Sequence, residues 1–411
     1  MSTSTILKPL IIHKSPKITT IRYNNPMKIV IDARAIKQTG VGRYIEELVT
    51  QLLAQDHDNQ YVLLVREEDR SKLKFATGKD LPANLELVSA NYLWFTFAEQ
   101  WRGWLLLHRL KPDLVHFPNF NHPILYRGRF VMTYHDLTLW EFKNIKPGGF
   151  TKKLVYLVRD LVMKLMVQHG LYRATYILTP SDYVRQSLSD KFYLPAHKII
   201  RTYEAVDSSP LPKRIATNPK PSHNLAELGI DRPFILYVGA AYPHKNLERL
   251  ILAFGRLVTD YMLDVQLVLV GKRDIFVRRL SADVAQVELK DKVIMTGYVD
   301  DATLAELYKA AEIYSFPSLS EGFGLPGLEA MNHGLPVASS NATCLPEIYG
   351  SAAVYYDPRD TDDMARVMAD LIADKAKQDR LRQAGRAQIT KYSWVKTAAE
   401  TLVIYKRALR K

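Results

Sequence analysis

Two series of short β-branched runs, each alternating with longer amphipathic stretches, constrain the fold of this chain most strongly. The first series begins at Met27 with MKIVID and continues to TYILT at 175–179. The second begins with FILYVG at 234–239 and continues to PVASS at 336–340. Because strands that alternate with helices form mostly parallel sheets with both faces covered, the sequence predicts an α/β protein with two doubly wound sheets.

A stretch rich in proline, serine and lysine separates the two series and is typical of a linker between domains. A chain of 411 residues also exceeds what one hydrophobic core usually holds. Doubly wound sheets bind ligands at the carboxyl ends of their strands, so we expect two Rossmann-like domains facing each other across a ligand cleft. The predicted divisions are 1–26, an extension that is disordered or precedes a true start at Met27; 27–206, the N-terminal domain; 207–232, the linker; 233–392, the C-terminal domain; and 393–411, a helix packing back toward the N-terminal domain.

The chain has a single cysteine, Cys344, which excludes an internal disulfide and fits a reducing compartment such as the cytoplasm. We interpret Cys344 as a small buried residue rather than a catalytic thiol. No apolar run approaches the roughly 18 residues that a membrane-spanning helix needs. The apolar patch within residues 1–26 is too short and too interrupted for a convincing secretory signal, so a targeting role is disfavoured.

Basic residues are concentrated in the first half of the chain. The net charge is +13 overall, and residues 1–207 hold 29 Lys and Arg against 19 Asp and Glu, a net charge of +10. This excess favours an anionic partner: a membrane surface, a nucleic acid or a phosphorylated substrate. No helix-turn-helix, zinc-binding or aromatic RNA-binding pattern is found in the sequence, which argues against nucleic acid.

The stretch EGFGLPGLEAM at 321–331 places two glutamates eight positions apart, with glycines and a proline between them. Because it follows the predicted strand IYSFP, Glu321 should lie at the carboxyl end of a sheet, where ligands bind. Gly322 and Gly324 would allow the backbone to approach a ligand closely. Glu329 falls near the start of a short helix, for which Pro326 is a suitable opening residue.

Backbone amides before this helix are free to donate outward and lie between two carboxylates. A bound phosphate alone would need the amides but not the acids. A sugar attached to a diphosphate needs both, because the amides bind oxyanions and the carboxylates bind pairs of hydroxyls. The amides in question belong to Phe323, Gly324 and Leu325.

The stretch resembles the signature of two glutamates separated by seven residues in the retaining, GT-B-fold nucleotide-sugar glycosyltransferases of family four. YVGAAYPHKNLERLILAF at 237–254 and FPSLSEGFG at 316–324 strengthen the resemblance. In the first half, IDARAIKQTGVGRYIEEL at 31–48 and TYHDLTLW at 133–140 also match. The resemblance covers nearly all of the chain from Met27 onward and is strongest to bacterial mannosyltransferases that build surface polysaccharides.

The resemblance implies roles for the matching residues. Glu321 would contact hydroxyls of the transferred sugar, and Glu329 would bind the ribose diol. Lys245 would neutralise the donor diphosphate, where a leaving nucleoside diphosphate develops negative charge. Backbone groups would complete the site, with sugar and phosphate held at Gly322, Phe323, Gly324 and Leu325 and the base contacted near Tyr298 and Val299.

One departure from the family pattern concerns the diphosphate. Family members often carry an arginine about five residues before the lysine that matches Lys245, whereas this chain has Ala240 in that region. Either the diphosphate is held with less positive charge, or Lys272, Arg273 or Arg43 supplies it.

Two further motifs belong to the N-terminal half. Gly40 and Gly42 in TGVGRY fit a loop packed against the donor phosphate or the acceptor, although the pattern lacks the third glycine of a dinucleotide fingerprint. His135 and Asp136 end the strand FVMTY. The resemblance places this histidine near the reacting sugar carbon and its 6-hydroxyl, with a helix-capping pair as the structural alternative. For His116, which is similarly placed, a functional and a structural role are equally favoured.

Two D-x-D pairs and one basic helix complete the candidate features. Asp56–Asp58 and Asp360–Asp362 have the spacing of metal ligands, but they flank predicted helices, so we interpret them as loop or cap residues. The resemblance implies an enzyme without metal or cofactor. The segment 150–174 is basic on one face and apolar on the other, which fits packing on its own sheet and binding to an anionic membrane equally well.

The sequence therefore predicts a cytoplasmic, metal-independent, retaining glycosyltransferase. It would move a hexose, expected to be mannose from GDP-mannose, to a glycan or lipid-linked acceptor bound mainly by the N-terminal domain. Peripheral contact with the inner face of the cell membrane is expected to accompany this role. Two alternatives remain: a non-hydrolysing sugar-nucleotide epimerase, which shares the two-domain fold but not the glutamate signature, and a basic nucleic-acid-binding protein.

Overall fold

The computed structural model describes residues 26–37, 39–73, 75, 81–142, 150–206, 224–271, 280 and 289–410. Residues 1–25 of the predicted extension and 207–223 of the predicted linker therefore lie outside the described residues. Lys272 and Arg273, two of the candidates for the missing phosphate-binding charge, also lie outside them.

The first domain is built on a seven-stranded parallel sheet with strand order β3-β2-β1-β4-β5-β6-β7. Its strands are β1 (Lys28–Asp32), β2 (Gln60–Val65), β3 (Leu85–Ser89), β4 (Leu114–Phe117), β5 (Phe130–Thr133), β6 (Tyr176–Thr179) and β7 (Ile199–Arg201). Its helices are α1 (Thr39–Gln55), α2 (Trp104–Leu110), α3 (Thr138–Glu141), α4 (Phe150–Arg173) and α5 (Asp182–Phe192).

The second domain is built on a six-stranded parallel sheet with strand order β10-β9-β8-β11-β12-β13. Its strands are β8 (Phe234–Val238), β9 (Gln266–Val270), β10 (Val293–Gly297), β11 (Ile313–Phe316), β12 (Val337–Ser340) and β13 (Ala353–Tyr356). The helices described after the linker are α6 (Leu247–Thr259), α7 (Asp301–Ala310), α8 (Leu325–Asn332), α9 (Leu345–Tyr349), α10 (Thr361–Ala373), α11 (Lys375–Ile389) and α12 (Trp394–Arg410).

The central strands of both sheets are buried along their whole length. Every residue of β4, β5 and β6 is buried, as is every residue of β9 and β11. Parallel sheets covered on both faces need such continuous apolar strands, which is why these runs do not alternate with polar residues. The α/β prediction with two doubly wound, Rossmann-like domains is confirmed.

The order of strands determines where ligands can bind. In the first sheet β1 lies beside β4, and in the second β8 lies beside β11. At these two positions the chain leaves neighbouring strands toward opposite faces, which opens a crevice at the carboxyl ends of the strands. The segments that follow β8 and β11 carry PHKN and EGFG respectively.

Helix α12 begins at Trp394, after the last helix of the second domain, and packs against α1 of the first domain. The Gln55 side-chain amide donates to the Val395 carbonyl over 3.1 Å. The Thr397 hydroxyl donates to the Tyr203 carbonyl over 2.6 Å. The C-terminal helix therefore joins the chain to the N-terminal domain a second time. Among the described helices, none is long and apolar enough to cross a membrane.

Candidate active site between the two domains

Lys245 and Glu321 form an ion pair at the carboxyl ends of two neighbouring strands. Lys245 follows β8 and Glu321 follows β11, and the Lys245 Nζ atom lies 2.6 Å from Glu321 Oε1. Both side chains are largely enclosed, with exposed fractions of 17% and 13%. Adjacent strand ends thus bring together two residues that are 76 positions apart in the sequence.

The loop that carries Lys245 is fixed by the next residue, Asn246. Asn246 has a positive φ of 61° and its buried side-chain amide donates to the carbonyls of Pro317 and Pro358 over 3.1 Å and 2.7 Å. Asparagine tolerates this left-handed conformation better than most residues. These two hydrogen bonds hold the Lys245 loop against the segment leading into Glu321, so the distance between the two charged groups is fixed.

Helix α8 starts at Leu325, a few residues after Glu321. Gly324 precedes the helix with a φ of 90°, and its carbonyl accepts a hydrogen bond of 2.6 Å from the Tyr349 hydroxyl. Within the described part of the chain, no acceptor is bonded to the amides of Phe323, Gly324 or Leu325. The first amides of a helix have no partner inside it, so these groups can bind an anion.

Glu329 lies on α8 at the other end of the same stretch and contacts the opposite domain. Its carboxylate forms an ion pair with Arg43 of α1, and the Tyr308 hydroxyl donates to it over 3.5 Å. Arg43 and Glu329 are partly exposed, at 32% and 25%. A carboxylate with solvent access can accept a pair of hydroxyls once its cation moves away.

The segment between the two glutamates is packed tightly against the N-terminal domain. A Cβ atom on Gly322 would lie 1.7 Å from the carbonyl oxygen of His135. The Ser181 hydroxyl donates to the Gly322 carbonyl over 2.7 Å. The sequence predicts that Gly322 lets the backbone approach a ligand, whereas in the structure it is the backbone of the other domain that makes the close approach.

His135 is held by two protein acceptors. Its Nδ1 atom lies 2.9 Å from a carboxylate oxygen of Glu204, and its Nε2 atom lies 2.8 Å from the Pro118 carbonyl. Burial lowers the pKa of His135, but the hydrogen bond and charge of Glu204 reverse this effect, so the pKa ends above its ordinary value. Since both acceptors require an N–H, this geometry favours the imidazolium form.

The remaining predicted site residues occupy varied surroundings. Phe323 is buried, with its ring edge-on to Tyr392 at 5.3 Å. Val299 is buried beside the exposed Tyr298 after β10. Leu325 is half-buried as the first residue of α8. The two TGVGRY glycines differ: a Cβ on Gly40 would meet nothing within 4 Å, whereas a Cβ on Gly42 would lie 2.5 Å from the Ile36 carbonyl.

Several polar candidates have structural roles in the fold. Asp136 accepts a hydrogen bond of 2.8 Å from the Thr138 amide at the start of α3. His116 is completely buried between Tyr405 and Thr133, and burial lowers its pKa to about 3.

The D-x-D pairs likewise stabilise loops, as their positions in the sequence indicated. Asp56 accepts from Asn59 and Tyr61, and Asp360 caps α10. The described residues include no group of three or more His, Cys, Asp or Glu side chains that could hold a metal ion.

Sequence reasoning missed three features near the cleft. Glu204 follows β7, a three-residue strand that was not recognised. His244 is buried next to Lys245 with an unpaired Nδ1 atom, and its pKa is lowered to about 4 by burial and by the Lys245 charge. Arg34 is buried between Asp32 and Glu99, at 2.6 Å and 2.7 Å. The only available signal was position, since Asp32 ends β1 and Arg34 follows it, whereas Glu204 follows a strand that the sequence pattern did not indicate.

Comparison with known proteins agrees with this arrangement. The family model described as Glycosyltransferase Family 4 matches residues 38–209, and that described as Glycosyl transferases group 1 matches residues 223–388. O-antigen chain mannosyltransferase B of Escherichia coli is 30% identical over 397 residues, which cover 92% of this chain and 100% of that protein.

Solved structures share the fold at low sequence identity. Sucrose-phosphate synthase from Thermosynechococcus elongatus superimposes with a TM-score of 0.70 at 19% identity, covering 93% of this chain and 98% of that one. HepE from Anabaena, solved with UDP and glucose, gives a TM-score of 0.69 at 16% identity, covering 93% and 100%.

Two facing Rossmann-like domains, with a donor-rich helix start and two carboxylates in the cleft, define a GT-B glycosyltransferase. The chain belongs to glycosyltransferase family four. This assignment favours glycosyl transfer over the epimerase and nucleic-acid-binding alternatives.

Proposed function

We propose that this glycosyltransferase moves mannose from GDP-mannose, with retention of anomeric configuration, to a glycan or lipid-linked acceptor in surface polysaccharide synthesis. The observation that carries the proposal is the stretch from Glu321 to Glu329, where unpaired amides lie between two carboxylates. The names of relatives, such as the O-antigen mannosyltransferase of Escherichia coli, support mannose and a polysaccharide product.

In the proposed donor pose, the sugar lies at Glu321 and the ribose at Glu329. The diphosphate lies between them, over the amides of Phe323, Gly324 and Leu325. Lys245 is held near the sugar end, where a phosphate oxygen gains negative charge as the bond to the anomeric carbon breaks. Fixed donors aimed at a developing charge stabilise a transition state more than a ground state. This is the role we assign to Lys245 and the helix amides.

Retention is proposed to occur by front-face attack. The bond between the anomeric carbon and the phosphate oxygen breaks, and its electron pair stays on the phosphate. The acceptor hydroxyl oxygen bonds to the anomeric carbon on the same face and passes its proton to the leaving phosphate. Glu321 would stabilise the positive charge that develops on the sugar rather than act as a nucleophile, since the acceptor hydroxyl itself makes the new bond.

His135 is proposed to organise the acceptor side of the cleft. Its backbone carbonyl contacts Gly322, while both ring nitrogens are bonded to protein acceptors. The charge of the ring is balanced by Glu204, so we assign His135 the role of positioning the segment that carries Gly322. The contact with the sugar 6-hydroxyl that the resemblance implies would require one ring N–H to leave its protein acceptor.

The acceptor is proposed to be presented at an anionic membrane surface on the cytoplasmic side. On α4, Leu157, Val158, Leu161, Val162 and Leu165 form one exposed apolar stripe, with exposed fractions from 44% to 58%. The same helix carries five Lys and Arg against one Asp. Apolar side chains beside basic ones match the interface of a bilayer with anionic lipids. An apolar helix face packed on its own sheet would instead be buried.

A transfer assay tests the proposed function directly. The protein is incubated with labelled GDP-mannose, with and without a lipid-linked mannan acceptor. We expect release of GDP and a labelled product only when the acceptor is present, and an α-linked product by NMR. Nucleotide release without acceptor, or interconversion of the sugar nucleotide itself, would instead indicate hydrolysis or epimerisation.

A further inference from the structure

Arg43, in the TGVGRY segment of α1, forms an ion pair with Glu329. Glu329 ends the donor stretch, by which we mean residues 321–329. Arg43 lies on the N-terminal domain, 286 positions before Glu329 in the sequence. The contact therefore crosses the cleft and exists only while the two domains face each other as they do here.

The two glutamates of the stretch are each neutralised by one cation, and the cations come from different places. Lys245 pairs with Glu321 within the C-terminal domain. Arg43 pairs with Glu329 from the N-terminal domain. The unpaired amides at the start of α8 lie between these two ion pairs, so the anion-binding groups have a cation at each end.

The C-terminal domain has no described arginine in the region before Lys245, where Ala240 and Ala241 stand. Ala241 is buried and Ala240 is half-buried. Neither alanine has a charged side chain that could bind a phosphate. Among the described residues of this domain, Lys245 is the cation that pairs with a glutamate of the donor stretch. The guanidinium of Arg43 is the described cation at the ribose end of the same binding stretch.

We propose that Arg43 is a donor-binding residue supplied by the N-terminal domain. When the ribose diol takes over the Glu329 carboxylate, the guanidinium is released and binds the diphosphate. This inference rests on the proposed function, because it takes Glu329 as the ribose ligand. Arginine is suited to this exchange, since its planar fork binds carboxylate and phosphate with the same bidentate geometry.

The exchange predicts different effects of Arg43 on the affinity for a nucleoside and for a nucleoside diphosphate. A nucleoside without phosphates must displace Arg43 from Glu329 and gives the guanidinium nothing in return. A nucleoside diphosphate provides the new partner. Removing Arg43 should therefore affect these two ligands in opposite directions, which neither a purely structural residue nor a simple latch between domains would do.

The test compares the binding of guanosine, GMP and GDP to wild-type protein and to Arg43→Ala by calorimetry or by competition. Loss of a charge-assisted bond should weaken GDP binding about ten- to a hundredfold. Guanosine affinity should rise, because the Glu329 carboxylate no longer has to be freed. Arg43→Lys keeps the charge without the fork and should recover part of the GDP affinity.

Arg201→Ala is the matched control. Arg201 is exposed to nearly the same extent as Arg43, at 33% against 32%, and its described contacts include Asp182, Tyr203 and Glu400 but no glutamate of the donor stretch. This variant should leave both affinities within about twofold of wild type. In a Glu329→Gln background, Arg43→Ala should no longer favour guanosine.

Three results would overturn the inference. If wild-type protein binds GDP and Arg43→Ala leaves that affinity unchanged, Arg43 does not bind the diphosphate, while the proposed function stands. The same conclusion follows if guanosine and GDP weaken by equal factors. If wild-type protein binds none of GDP, UDP and ADP, the proposed function itself fails, and the role of Arg43 fails with it.

Discussion

The Cβ position of Gly322 lies 1.7 Å from the backbone carbonyl oxygen of His135, so a side chain at residue 322 cannot coexist with the observed contact between the domains. The carbonyl belongs to the N-terminal domain and the glycine to the segment between Glu321 and α8. The observed placement of the two domains therefore requires a residue without a Cβ atom at position 322.

Gly322→Ala should lower activity about a hundredfold without unfolding the protein. The new methyl group must push the His135 backbone or the Glu321 segment by more than 1 Å, and a misplacement of about 1 Å can cost roughly a hundredfold in rate. Steady-state kinetics and thermal unfolding measure the two effects separately. Gly255→Ala is the control, because a Cβ there meets only Leu289 at 3.4 Å inside α6. Wild-type activity in Gly322→Ala would contradict the importance of this contact.

Glu329→Gln and Glu321→Gln should have different kinetic signatures. The proposed ribose contact of Glu329 exists in both ground and transition states, so its loss should raise KM for the donor and leave kcat comparatively intact. Glu321 lies beside the sugar, which gains positive charge during the reaction, so its loss should mainly lower kcat. Each change should cost roughly ten- to a hundredfold. Equal loss of nucleoside-diphosphate affinity in both variants would mean that these roles are wrongly assigned.

Activity should survive treatment with EDTA. In the proposed site the helix amides and Lys245 neutralise the leaving diphosphate, while the two D-x-D pairs are occupied with loop and cap hydrogen bonds. The measurement is turnover after dialysis against chelator, with and without added Mg²⁺ or Mn²⁺. A complete loss that either ion restores would show that a metal takes part.

The pair of His135 and Glu204 should make stability depend on pH. Because the pKa of His135 is raised in the folded state, the protonated pair contributes its full stability below the ordinary histidine value of about 6.5. That contribution is lost as the pH rises through the higher folded pKa. Asp136, His116 and Tyr44 also face this ring and shape the transition.

The expectation is tested by measuring the melting temperatures of wild-type protein and Glu204→Gln from about pH 6 to alkaline pH. The advantage of the wild type should be greatest at about pH 6 and should shrink toward alkaline pH. His57→Gln, at an exposed histidine, should leave the difference unchanged. A wild-type advantage that grows with pH would reverse the sign and disprove the assignment.

Binding to anionic vesicles should depend on the apolar stripe of α4. Leu161→Asp places a charge in its centre and should weaken sedimentation with phosphatidylglycerol vesicles, as should added salt, because each basic residue near the surface contributes about 1 kcal/mol. Met262→Asp is the matched control, at a residue 81% exposed on the other domain. Equal binding by both variants, or none by wild type at low salt, would exclude the stripe as the membrane contact.

The fold could be predicted from the sequence because parallel strands buried on both faces have continuous apolar runs. Two edge strands were missed. β7 has three residues, and β13, at the other sheet's edge, is only partly buried, so neither is the continuously buried apolar run of a central strand. Missing β7 also meant missing Glu204, which follows it. The position of Glu321 after β11 was predicted correctly, since it depends on order along the chain alone.

Pairings between distant segments could not be derived in the same way. Nothing in the local sequence around Arg43 or Glu329 indicates that they meet, since the contact depends on how two separately folded domains face each other. The same limit applies to Gly322, whose local sequence suggested a ligand rather than the His135 backbone. The pairing of Arg34 with buried Glu99 is a third contact that the local sequence does not indicate. Burial raises the pKa of Glu99, although the charge of Arg34 opposes this effect.

The return of α12 to the N-terminal domain has a consequence for motion. Because α12 follows the second domain and packs on α1 of the first, the end of the chain is anchored on the domain that begins it. The hydrogen bonds from Gln55 to Val395 and from Thr397 to Tyr203 restrain how far the second domain can turn away from the first. Such a restraint favours the relative placement of the domains in which Arg43 meets Glu329.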